Sequence, residues 1–200
     1  MADWIPKNTV AGPKTGSEHA GPTGTGLDLR ESPPCGRLIL RTRLPADEAR
    51  SRVAKKAGID LPIEPNTASG DEYAVLWIGP GRWLINVDLA ELAPLRNRIA
   101  TALAGSTQLL SDVSHARVVF SASGARAPEL LSRLCPLDLD TRVFGSGQCA
   151  QTLLVRIPLL LHRVSDQPAY HLYVDRSLAH YAWDWLTDAA MASNVAQEAG

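Results

Sequence analysis

An excess of charge of either sign is missing from this chain: twenty Lys and Arg stand against twenty-one Asp and Glu. The basic surplus that phosphate-backbone binding needs is therefore absent, and a nucleic-acid-binding role is excluded. Cysteine is scarce. Cys35, Cys135 and Cys149 lie far apart with no C-x-x-C pair, which argues against a thiolate zinc site and a secreted disulfide framework and leaves three free thiols. Long hydrophobic runs are missing as well. The run Ile157 to Leu161 is interrupted by Pro158, and nothing approaches the roughly 20 apolar residues of a bilayer span. Met1 to Pro6 has no basic stretch leading into an apolar one, so no export signal is read there. The expectation is a cytoplasmic protein with no membrane partner.

The motifs of common chemistries are absent too. No G-x-S-x-G proposes a nucleophile. The glycine-rich Gly21-Pro22-Thr23-Gly24-Thr25-Gly26 follows no strand, opens no helix and lacks a phosphate-binding lysine, so it reads as linker. The five histidines are scattered, with no H-x-x-x-H pair to form a metal-ligand face. His115, in Ser111-Asp112-Val113-Ser114-His115, is the most suggestive, because Asp112 and Ser114 could orient its ring. An Asp-x-Ser pattern before a strand more commonly bonds backbone groups in a turn.

What is present is 200 residues, 45% of them hydrophobic, enough for one sizeable core or two small ones. Residues 1–36 contain six glycines and five prolines and read as an extended arm, which Trp4, Ile5 and Leu27 could anchor along a partner surface. Arg37 to Arg43 reads as a strand, with Leu38 and Leu40 on one face and Arg37, Ile39, Arg41 and Arg43 on a largely solvated one. After Pro45 comes a helix with acids in its first turn, bases in its last and Gly58 as its stop. Glu72 to Ile78 and Trp83 to Val87 flank a tight Gly-Pro-Gly turn, a hairpin in which Trp77 and Trp83 serve packing.

Asp88 caps a second helix with Leu92, Leu95, Ile99 and Leu103 inward, whose regular bonding begins near Pro94, with Gly105 as its stop. Gln108 to Val113 and Arg117 to Ala122 read as strands. A short helix then turns Ala127, Leu130, Leu131 and Leu134 inward, Thr152 to Val164 pairs with Tyr170 to Val174, and a last helix starts near Ser177. Taking Leu178, Tyr181, Ala182, Trp185, Leu186 and Ala189 as its buried stripe leaves Trp183 looking outward, as an interface anchor would. The fold class is α+β: two related halves of mixed or antiparallel sheet with helices on one face. The domains expected are the arm (1–36), a first half (37–122), a second half (123–190) and a flexible tail (191–200).

Four stretches, followed by the aromatic helix Tyr181-Ala182-Trp183-Asp184-Trp185-Leu186, together carry a resemblance. They are Leu76-Trp77-Ile78-Gly79-Pro80-Gly81-Arg82-Trp83-Leu84, Asp112-Val113-Ser114-His115-Ala116-Arg117-Val118-Val119-Phe120, and Cys135-Pro136-Leu137-Asp138-Leu139-Asp140 with Gln151-Thr152-Leu153-Leu154. In this order they resemble the gamma subunit of heterotetrameric sarcosine oxidase, from about Leu27 to Ala190. The resemblance implies an accessory subunit of a flavoenzyme that demethylates sarcosine or a related N-methyl amine and passes the one-carbon unit towards tetrahydrofolate. It implies that alpha, beta and delta subunits are the partners and hold the cofactors: NAD and folate on alpha, FAD on beta, FMN between alpha and beta, zinc on delta. It also implies a fold similar to the folate-binding module of glycine-cleavage aminomethyltransferase. No acidic catalytic residue of that enzyme can be matched here, so no catalytic, cofactor or metal role is carried to any residue. The alternative is a stand-alone folate-binding protein, with Asp112 as the carboxylate that would read the pterin ring.

Overall fold

The computed structural model describes residues 26–70 and 73–198, with side chains as far as residue 192. Two compact units divide the chain. One takes the chain up to Pro34, His115–Ser146 and the chain from Gln151 onward; the other takes Cys35–Ser114 and Gly147–Ala150.

The Cys35–Ser114 unit contains β2 (Gly36–Thr42), α1 (Ala46–Ala57), β3 (Ala68–Ser69), β4 (Val75–Gly79), β5 (Arg82–Val87), α2 (Leu92–Ala102) and β6 (Gln108–Asp112). Its sheet runs β3-β4-β5-β2-β6, with every pair antiparallel. One face of this sheet carries Leu38, Leu40, Val75, Trp83, Ile85 and Val87, packed with Ala49 and Val53 of α1 and Leu95 and Ile99 of α2. Alternation along the strands and i, i+4 spacing along the helices produce that shared core. Trp83 is fully buried, and its indole N–H donates to the Pro62 carbonyl at 2.7 Å, so the polar edge of the ring is satisfied.

Local chemistry sets the ends of these elements. α1 stops at Gly58, whose φ of 73° suits a residue without a Cβ, and its N–H returns to the Ala54 carbonyl at 3.1 Å. In α2 the Leu95 N–H to the Glu91 carbonyl, 2.8 Å, closes the first regular turn immediately after Pro94, as the missing proline donor requires. Asp88 accepts from the Ala90 N–H at 2.7 Å, bonding the turn ahead of that helix. Between β4 and β5, Gly81 holds φ 64° and accepts through its carbonyl from the Thr42 N–H at 3.0 Å.

The other unit contains β1 (Asp28–Glu31), β7 (Arg117–Ser123), α3 (Ala127–Leu134), β8 (Cys149–Leu154), β9 (Ile157–Arg163), β10 (Ala169–Asp175) and α4 (Ala179–Glu198), which a 3-10 turn at Arg176–Leu178 introduces. The first two residues of β8 are counted with Cys35–Ser114. The sheet runs β1-β7-β10-β9-β8. Leu29, Phe120, Ala122, Leu161 and Leu172 are buried, as are Ala127, Leu130, Leu131 and Leu134 of α3 and Ala179, Ala182, Leu186 and Ala190 of α4. Arg163, 2% exposed, donates to the carbonyls of Phe144, Asp166 and Ser165 at 2.9, 3.0 and 3.3 Å and lies over the Tyr170 ring. Burial of that guanidinium is offset by these bonds.

Read from the opposite edge, the first sheet is β6-β2-β5-β4-β3, which matches β1-β7-β10-β9-β8 strand for strand. The repeat is complete in both units, but the edge strand differs in origin. β6 follows the α2 of its own unit, whereas β1 reaches its edge from the N-terminal side of the chain.

Several sequence expectations are corrected. Residues 27–31 are not part of a free arm: β1 pairs with β7, Leu29 opposite Ala122 and Glu31 opposite Phe120. The first half ends at Ser114 rather than at residue 122, because β7 bonds to β1 and β10 along its length. The face of β2 expected to be solvated is so only at one end: Arg41 and Arg43 are exposed, whereas Arg37 is at 3% exposure, and its backbone N–H donates to Ser114 Oγ at 3.0 Å. Thr152 to Val164 is not one strand. It breaks at Val155, φ 56°, whose N–H donates to the Leu134 carbonyl at 2.7 Å. Finally, the backbone of residues 191–198 continues α4.

Candidate interaction surfaces

α4 has a narrow buried stripe. Ala179, Ala182, Leu186 and Ala190, at spacings of three and four, are fully buried; three of them are alanines, so the helix can approach its neighbours closely. Trp183 lies beside this stripe, half-buried, with its ring centroid 5.3 Å from that of Phe120. Trp183 therefore does not look fully outward as expected but packs on its own chain: the buried stripe is rotated by roughly 75° from the one the large side chains suggested. That rotation exposes Tyr181 and Trp185, at 37% and 42%, with ring centroids 6.2 Å apart. Asp184 and Asp188 are exposed along the adjacent row.

Leu27, expected as an anchor for a partner, is buried in this chain's own fold; the neighbouring strand pairing of β1 draws it in. Trp4 and Ile5 lie outside the described residues.

Asp112 behaves as a turn residue. Its Oδ1 accepts from the Ser114 N–H at 2.9 Å and the Ser114 hydroxyl at 2.6 Å, closing the turn between β6 and β7. His115 beside it is exposed. A concavity of about 370 Å³ is lined by Arg117, Gln151, Thr152, Leu153, Leu160 and Tyr173 among others, and Asp112 is not among its walls. Arg117 approaches Asp175 at 3.9 Å in its rim.

Pairing of β9 with β10 sets His162 opposite His171, with ring centroids 6.1 Å apart, a juxtaposition that spacing along the sequence did not reveal. His162 is buried and its Nδ1 has no hydrogen-bond partner among the described residues. Burial, reinforced by the neighbouring His171, pushes its pKa down to about 4. No group of three or more His, Cys, Asp or Glu suited to a metal occurs among the described residues. None of the three cysteines forms a disulfide. Burial pushes the Cys149 thiol up to about 12, and its sulfur lies 3.4 Å from the carbonyls of Thr67 and Trp77, so it is a packing group rather than a nucleophile. No helix among the described residues is long and apolar enough to cross a membrane.

A family model, described as "Sarcosine oxidase, gamma subunit family", matches residues 44–192. The sarcosine oxidase subunit gamma of Corynebacterium sp. (strain P-1) is 32% identical over 172 residues, covering 84% of this chain and 82% of that one. This chain belongs to the sarcosine oxidase gamma subunit family. Among solved structures, a chain of the heterotetrameric sarcosine oxidase from Corynebacterium sp. U-96 superposes with a TM-score of 0.75 at 30% identity, over 84% of this chain and 86% of that one. The glycine cleavage system aminomethyltransferase T from Bartonella henselae gives a TM-score of 0.59 at 11% identity, over 80% of this chain and 45% of that one. That second likeness is one of fold, and it agrees with the expected aminomethyltransferase-like α+β architecture. For a member of this family, the surfaces of interest are those that remain exposed once its own core is formed.

Proposed function

We propose that this chain is the accessory gamma subunit of a sarcosine oxidase-type heterotetramer in the cytoplasm. There it supports assembly by docking on the large subunit while other chains carry out the oxidative demethylation. The observation that carries this reading is the similarity over 86% of the matched chain of a heterotetrameric sarcosine oxidase: the likeness spans nearly a whole subunit, not one shared module. In this reading alpha, beta and delta are the partners. FAD, FMN, NAD, tetrahydrofolate and zinc are held by them, and this chain contributes shape and stability.

The test is co-expression of the three partner chains with and without this one. The expected result is that omitting it lowers the yield of intact, flavin-containing assembly, and that adding the purified chain restores it. A fully active, fully assembled three-chain enzyme, unchanged on addition of the fourth chain, contradicts the proposal.

A further inference from the structure

The two repeats provide an internal comparison. α2 and α4 occupy corresponding places in them, each following the central strand of its sheet. On α2 the exposed positions are Arg96, Asn97, Arg98 and Thr101 among others, an ordinary solvated helix face. On α4 they include Tyr181, Trp185 and Met191. Architecture therefore does not require aromatic rings on this face, because the equivalent helix manages without them. Tyr181 and Trp185 stand one turn apart with their rings together, an arrangement that presents a continuous apolar strip.

The polar groups beside the rings specify what could cover them. Asp184 and Asp188, also one turn apart, form a parallel row, three residues from Tyr181 and Trp185 respectively, and neither carboxylate has an ion-pair partner among the described residues. Residues 179–192 contain no Lys or Arg. A surface with one aromatic row and one carboxylate row matches a guanidinium, which can stack on the first and bond the second. Tryptophan and tyrosine are also the residues that concentrate binding energy when an interface closes over them.

We infer that the Tyr181–Trp185 strip of α4, with Asp184 and Asp188 along its edge, is a docking surface for an arginine-bearing apolar patch on another subunit of the assembly. This rests on the accessory-subunit reading and gives that reading an address on the fold. A bare hydrophobic contact would leave the two carboxylates unused, whereas an arginine-bearing patch satisfies both rows.

The experiment uses the co-expressed assembly and measures the affinity with which this chain is retained. Trp185→Ala is expected to weaken retention by about 30-fold or more. Asp184→Asn with Asp188→Asn keeps both rings and is expected to weaken it by about 5-fold and to flatten its salt dependence. Arg96→Ala on α2 is expected to leave retention unchanged. Circular dichroism and melting of each isolated variant report whether it has folded.

Retention unchanged in both α4 variants, or lost equally in Arg96→Ala, overturns the inference. So does a wild-type chain that dimerises through Trp185, or one that assembles more tightly when residues 1–25 are removed. Those two results make the occupant a second copy or the chain's own arm. Failure of the wild-type chain to join any partner overturns the accessory-subunit reading itself, and is distinguished from the other results by occurring before any substitution.

Discussion

Trp183 and Trp185 are two residues apart on one helix, and the structure assigns them opposite duties, which substitution can separate. Trp183→Ala removes a half-buried indole that packs on the fully buried Phe120 ring. A tryptophan buries about 150–250 Å², so half of that, at about 25 cal/mol per Å², contributes about 2.5 kcal/mol. The ring pair adds about 1 kcal/mol, for a total of about 3.5 kcal/mol. Urea unfolding of the purified chain, followed by far-UV circular dichroism, is the assay. With a slope of about 2 kcal/mol/M, the midpoint is expected to fall by about 1.8 M with the slope unchanged. Phe120→Leu, combined with it, should show a coupling of about 1 kcal/mol, because both substitutions remove the same ring contact. A midpoint shift below about 0.3 M, or additive effects, would refute the packing role and return Trp183 to the surface.

Two further predictions follow from the backbone and from burial. Gly81→Ala places a Cβ against the Thr42 carbonyl at a φ of 64°, so the hairpin must shift; a loss of about 2 kcal/mol or more is expected in the same unfolding assay, and a neutral result would show that this turn is not fixed as described. For His162, the folded pKa near 4 lies below the unfolded value of about 6.5, so the unfolded chain binds the proton first. Stability should therefore be flat above pH about 7, fall by about 3 kcal/mol between pH about 6.5 and about 4, and lose this component of its slope in His162→Gln. Unfolding curves at a series of pH values check it, and an identical slope in the variant would show that other groups carry the acid sensitivity.

What was legible in the sequence was what local chemistry decides. α3 turns inward the four residues its spacing indicated, α1 ends at the glycine its charge pattern leads to, and the Gly-Pro-Gly turn joins β4 to β5. What was not legible depends on partners distant in sequence or on signals of the wrong type. Val155 is β-branched and adopts φ 56°, so nothing in its residue type announces the turn that divides β8 from β9. β1 lies next to proline-rich sequence, and only its pairing with β7, about ninety residues later, makes it a strand. The face of α4 was misread because two of its large rings, Tyr181 and Trp185, are exposed while Ala179, Ala182 and Ala190 are buried, the reverse of the usual amphipathic pattern. That inversion is the kind of departure from local rules that marks a functional surface.

The most direct measurement is co-purification of the tagged chain from its native cells, with absorbance and mass analysis of what accompanies it. Yellow, flavin-containing material with three companion chains, one of them large and one very small, is expected. A colourless chain that purifies alone and binds a folate on titration would contradict the accessory-subunit reading.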